Sequence, residues 1–380
     1  MTDSIKLKRS CLLLFLWLGM FVASSGVFAF DTSECVQKGI AYLHNVQNED
    51  GGFPSDKGRE SSPMVTDWVV MALRAAGEDL DDVKWSKKGL TPSVYLLKQV
   101  RPLESTTDYA RTLLALTATD NGTVIQGIDL AEKIVSWQLP HGQFAQSELG
   151  EEVLLSSQIW SVLALTAANQ EIPQREKVLS WLVNQQNSDG GFSWAVGGQS
   201  DPDDTGVALS ALAALGLAKD DLVVNKALHY LKEQQNKDGG FSWTDQKTNA
   251  ATDSWVIQGL AAVGEDPVGN NWRVQGISPL DHLCSLQNSD GSFQWVSGLD
   301  SSPVLMTAYA LLALSGGSLP VNLTDSKNLV DDVQEDMTVQ QNNSTVDYHP
   351  EENENLVKLF GDMCGLLKKM LITLPQFLWL

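Results

Sequence analysis

The stretches QNEDGGF (47–53), QNSDGGF (186–192), QNKDGGF (235–241) and QNSDGSF (287–293) are one heptapeptide written four times, and QLPHGQF (138–144) is a looser fifth copy. In each, Gln stands six residues before Phe. The last four copies lie about fifty residues apart, and the gap before them is about twice that. A degenerate copy fits the gap: Tyr95-Leu96-Leu97-Lys98-Gln99 matches Tyr230-Leu231-Lys232-Glu233-Gln234 but has lost its glycine turn. Self-similarity at this period marks an array of supersecondary units. Six units fill residues 33–318.

Each unit reads as two helices. The first carries apolar residues at helical spacing, as in Val36, Ile40 and Leu43, and ends at Asp-Gly-Gly, where glycine takes up the left-handed backbone that closes a helix. The second is expected to open on capping residues: Thr66-Asp67, Thr107-Asp108, Ser156-Ser157, Asp204-Thr205 and Thr252-Asp253. These second helices, such as 208–215, are so dense in Ala and Leu that they belong in an inner layer. Six such pairs favour closure into a ring, an all-α (α/α)6 toroid.

The segment KGIAYLHNVQNEDGGF (38–53) resembles the QW motif of squalene-hopene and oxidosqualene cyclases, with Phe53 where the motif usually has Trp. KALHYLKEQQNKDGGFSW (226–243) resembles it again. The resemblance spans 33–318 and is to the terpenoid cyclase and protein prenyltransferase superfamily. It implies the toroid fold, with the Gln and the aromatic in a structural role. Prenyltransferases of this class use an Asp-x-Cys pair for zinc, but the matching Asp253-Ser254-Trp255 has no thiol, and the Cys-Gly-Glu-Gln run of a thioester is absent. No metal or cofactor is expected, since NSDG lacks the downstream acid of a calcium loop.

Asp201-Pro202-Asp203-Asp204-Thr205 matches the Asp-x-Asp-Asp-Thr acid of class II terpene cyclases letter for letter. By that resemblance Asp203 is the proton donor, and Asp201 and Asp204 its partners, because a neighbouring carboxylate keeps an acid protonated in an apolar pocket. The same letters also suit a helix start, Asp204-Thr205 being in line with Thr66-Asp67. Trp194, Trp243 and Trp295 follow the turn Phe by two residues. With Asp67, Asp108, Asp204 and Asp253 they are expected on one rim; Trp194, Trp243, Trp295, Asp67, Asp108, Asp253 and Trp255 are the candidate ligand-binding residues.

Lys6, Lys8 and Arg9 precede an apolar run over 11–22 and a small-residue site ending at Ala29, which reads as a signal peptide over 1–29 and implies export. The toroid is then 30–319. A net charge of −21 argues against nucleic acid as a partner. Residues 320–355 read as an acidic linker. In 356–380, Leu356, Leu359, Phe360, Met363 and Leu367 form the apolar stripe of an amphipathic helix, with Lys358, Lys368 and Lys369, suited to a peripheral membrane or protein contact. The functional reading is a secreted protein that binds a small or lipid-like molecule, isoprenoid or corrinoid in type, without catalysis. A class II cyclase and a structural module are the alternatives.

Overall fold

The computed structural model describes residues 32–98, 103–243, 247–316 and 318–320; the signal peptide, the linker beyond Pro320 and the C-terminal helix read from the sequence lie outside them. Among the described residues, twelve α-helices alternate between two layers. The outer six are α1 (Thr32–Val46), α3 (Pro92–Lys98), α5 (Leu130–Ser136), α7 (Arg175–Asn184), α9 (Leu222–Gln234) and α11 (Pro279–Ser285). The inner six are α2 (Pro63–Ala75), α4 (Thr106–Ala118), α6 (Leu155–Ala167), α8 (Pro202–Ala214), α10 (Ala250–Ala262) and α12 (Pro303–Leu314). Each inner helix packs on the next, and α12 packs on α2, so the ring is closed.

Every inner helix is buried over most of its residues, whereas α7 buries only Val178 and Leu182, as the contrast in composition predicts. The inner helices start one to three residues earlier than the expected capping pairs. Their caps are Ser62, Ser105, Asp201 and Asn249, each of whose side chains accepts a backbone N–H of the first turn; Leu154 and Ser302 precede α6 and α12 without such a bond. Thr66 and Thr205 instead reach back to the rim, where their hydroxyls accept the N–H of Phe53 and Phe192 at 2.9 Å. Gln158, Asp253 and Thr307 do the same for Phe144, Phe241 and Phe293. Asp253 is therefore the counterpart of Thr66, not of Asp67; one residue is missing between turn and helix in that repeat.

The heptapeptide Gln is the tie between repeats. Its side-chain amide donates one hydrogen to the glycine carbonyl of its own turn and the other to the start of the next outer unit. The second acceptors are the carbonyls of Trp85 for Gln47, Pro173 for Gln138, Val223 for Gln186, Trp272 for Gln235 and Cys35 for Gln287, all at 2.7–2.8 Å. The last of these closes the outer layer onto α1. Cys35 and Cys284 are both buried.

Two close approaches require glycine. Gly51 has φ +88°, and a Cβ there would stand 2.6 Å from the Thr91 carbonyl oxygen, while one on Gly52 would strike the Tyr95 ring. Between inner helices, Gly206 of α8 faces Gly259 of α10, and a Cβ on Gly206 would lie 2.6 Å from the Trp255 carbonyl oxygen. That crossing brings two backbones into contact.

If the Gln bridge closes the ring, Gln287→Leu strands the Cys35 and Gly291 carbonyls and should lower unfolding free energy by about 2 kcal/mol. Urea denaturation should show the same loss for Gln186→Leu at an internal seam. A Gln287→Leu protein as stable as wild type would refute closure by this bond.

Candidate functional site: the lumen and its turn-bearing end

The glycine turns lead into the N-termini of the inner helices, so one end of the ring gathers turns and helix starts. Backbone bonds knit this rim: the first N–H of α6 goes to the Trp194 carbonyl and that of α10 to the Trp295 carbonyl, both at 2.8 Å. Trp194, Trp243 and Trp295 are all half-buried here, and Trp295 packs on the core.

Below the rim, one layer of the lumen is built from equivalent positions. The sixth residues of α2, α4, α6, α8 and α10 are Trp68, Arg111, Trp160, Val207 and Trp255, and the seventh of α12 is Tyr309. Trp68, Trp160 and Trp255 come from alternate helices and form a triangle, with ring centroids 5.5, 5.5 and 5.8 Å apart and edges turned to faces. Tyr309 joins it at 5.3 Å from Trp68 and 4.8 Å from Trp255. All four are at most 6% exposed. Two open depressions lie instead on the outside, around α7 and α9.

Trp255 is thus in the lumen, and Asp67 and Asp253, expected on the rim, are fully buried in the wall. Asp67 lies between α2 and α4, where Thr112 donates to it at 3.3 Å and the Arg111 guanidinium stands 3.5 Å away. Arg111 also pairs with Asp108 at 2.9 Å. Asp108 is on the rim, in a capping box with Ser105. Burial alone would raise its carboxyl, but hydrogen bonds from Ser105 and the charge of Arg111 hold it below the usual range.

The DPDDT stretch begins α8. Asp201 is the cap, accepting the Asp204 N–H at 2.9 Å; Pro202 is the first helical residue; Thr205 donates to the Asp201 carbonyl at 2.7 Å. Asp203 is half-buried one turn nearer the rim than Val207, with one carboxylate oxygen out of reach of water. Burial raises the Tyr309 phenol; Arg111 opposes that shift and the Asp203 charge adds to it, which places both side chains near the aromatic layer.

Asp253 carries a different chemistry. Its second oxygen meets His282 Nδ1 at 2.5 Å, and His282 Nε2 faces Asp238 of the turn at 3.6 Å. Where this seam has His282 over Gly240, others have Tyr95 over Gly52 and Tyr230 over Gly191. Burial would push the imidazole down, but Asp253, with Asp238 behind it, raises it; burial raises Asp253 as well. The pair therefore keeps one shared proton in the fold. Among the described residues, no group of three or more His, Cys, Asp and Glu side chains could hold a metal ion.

Trp68, Trp160, Tyr309 and Arg111 were missed by sequence reasoning. The signal was present: the four aromatics of the layer follow their turn Phe by fourteen to sixteen residues, so superposing the repeats on Phe brings them into register.

The model of the prenyltransferase alpha-alpha toroid domain matches residues 4–101 and 109–252. Among solved structures, the type II terpene cyclase MstE from Scytonema in its apo form is similar, at 16% identity and a TM-score of 0.53 over 75% of this chain and 97% of that one. A variant of that cyclase bound to its substrate geranylgeranyl dihydroxybenzoate gives 15% and 0.52 over 75% and 96%. A protein from Actinoplanes gives 13% and 0.50 over 75% and 99%. These likenesses are of fold. No curated protein matches the chain.

The Asp253–His282 proton predicts a pH dependence. The unfolded imidazole releases its proton near pH 6.5, so above that pH the folded state holds more protons and stability falls as pH rises. His282→Gln should flatten the slope of urea midpoint against pH between 6.5 and 9. An unchanged slope would rule the pair out as its source.

Proposed function

Because the chain belongs to the prenyltransferase alpha-alpha toroid domain family, we propose that it binds a slender apolar molecule of isoprenoid type in the lumen, entered from the turn-bearing end, and releases it unchanged. The aromatic layer carries this reading. Three Trp and a Tyr at one level offer ring faces and edges that can part and close again on a hydrocarbon chain, at about 0.5–1.5 kcal/mol per ring pair given up. The related cyclase fold is known with a geranylgeranyl compound bound, which supports the ligand class. Trp194, Trp243 and Trp295 would receive the molecule at the rim. Export, read from residues 1–29, is part of the same proposal and places the binding outside the cytoplasm.

Binding without turnover is favoured by the use made of DPDDT. Asp201 and Thr205 are spent on backbone bonds and Pro202 on the first helical turn, which leaves the carboxylates of Asp203 and Asp204 to carry any acid chemistry. One observation favours the second reading, a class II cyclase. Asp203 has a buried oxygen beside an aromatic layer, as protonation of an alkene and stabilisation of the resulting cation would need. Length does not count against it, since a type II cyclase is matched over 97% of its chain by this toroid.

Titration of geranylgeraniol or squalene should change the tryptophan emission of the protein saturably. Native mass spectrometry should return a complex of unchanged ligand, with equal affinity in Asp203→Asn. Release of a cyclised isomer that Asp203→Asn abolishes would overturn the carrier reading and establish the acid.

A further inference from the structure

The aromatic triangle fills the lumen but leaves polar atoms without partners. Trp68 Nε1, Ser157 Oγ, Ser161 Oγ and Gln258 Oε1 are inaccessible to solvent and meet no hydrogen-bonding group of the protein. Their residues are 0–2% exposed. These four lie on α2, α6 and α10, the same alternate helices that supply the triangle, and are half of the eight such atoms among the described residues. Ser157 precedes Trp160 by three residues and Gln258 follows Trp255 by three, spacings that set each beside its Trp, and Ser161 lies one turn after Ser157 on the same side of α6.

Neighbouring polar groups of equal burial are matched. The Ser254 hydroxyl donates to the Ala250 carbonyl at 2.6 Å, the Gln258 amide to the Ser254 carbonyl at 3.1 Å, and Gln158 spans three backbone groups. A serine inside a helix can always turn to the carbonyl one turn back, as Ser254 does, but Ser161 does not. Leaving a buried donor or acceptor unmade costs more than making the bond gains. Four of them around one aromatic layer point to a partner that is polar and enters the lumen.

We propose that the lumen recognises its isoprenoid-type molecule by a hydroxyl or carbonyl oxygen held between α2, α6 and α10, with Trp68 Nε1–H and the Ser157 and Ser161 hydroxyls as donors and Gln258 Oε1 as acceptor of a ligand O–H. This rests on the binding reading above and adds a selectivity to it: an isoprenoid alcohol binds, and a hydrocarbon of similar length binds poorly.

The experiment compares geranylgeraniol with phytane, an isoprenoid hydrocarbon of the same chain length, on the full chain, in wild type, in Ser157→Ala/Gln258→Met and in Ser161→Ala, which removes a single oxygen. The wild type should bind the alcohol at least tenfold more tightly, and the double variant should lose most of that preference. Its melting temperature without ligand should be equal or higher, because orphaned atoms have been removed. Equal binding of alcohol and hydrocarbon by wild type overturns the selectivity while leaving lumen binding in place. Preference retained in both variants, with a lowered melting temperature, overturns it too and assigns these atoms to ordered water. If neither molecule binds, lumen binding itself fails.

Discussion

A primary amide has two hydrogens, and this molecule uses both. The heptapeptide Gln closes its own turn with one and grips the next outer unit with the other, so turn formation and ring formation are the same event. A glutamate could not replace it, since both acceptors are carbonyls, and an asparagine would be a methylene short. The turn glycines follow from this bond: the chain must bring its backbone against the next outer helix, and a side chain at Gly51 or Gly52 would meet Thr91 or Tyr95. The turn Phe, wholly buried in all five copies, is then fixed by an inner-helix side chain that accepts its N–H.

That hierarchy explains what could be read from the sequence. Gln, Gly and Phe act within seven residues, so they recur as a visible string, and the inner layer declares itself by composition. The lumen layer was hidden because its six members share a position and not a chemistry: Trp68, Arg111, Trp160, Val207, Trp255 and Tyr309 look unrelated until the helices are superposed. The cap of α2 was displaced by a turn because Thr66-Asp67 has the right letters for a helix start. Thr66 is needed by Phe53 instead, and Ser62 does the capping. Asp253 shows the limit of lettering most clearly. It was grouped with Asp67 by its neighbour Thr252, yet it occupies the threonine slot and has acquired a histidine in place of the tyrosine opposite.

The first turn of α8 shows how structural and chemical demands divide one short stretch. Asp201 and Thr205 are held by the backbone, so their letters would persist in a helix of this kind whatever the protein did. Asp203 stands one turn nearer the rim than Val207, and its charge is felt at Tyr309. Arg111 sets the electrostatic tone on the other side, its charge balanced by Asp67 and Asp108 within the wall.

Closure of α12 on α2, and of Gln287 on Cys35, has a consequence beyond stability. An open array of helix pairs can gain or lose a unit at either end, and its terminal units need polar outer faces. A ring has no terminal unit. Every pair here has two neighbours, so the number of units is fixed by the angle between them, and excising one would break two seams and leave a gap that the remaining five cannot span. Variation in such a molecule is confined to what each unit presents inward, which is where this chain places Trp in three units and Arg, Val and Tyr in the other three.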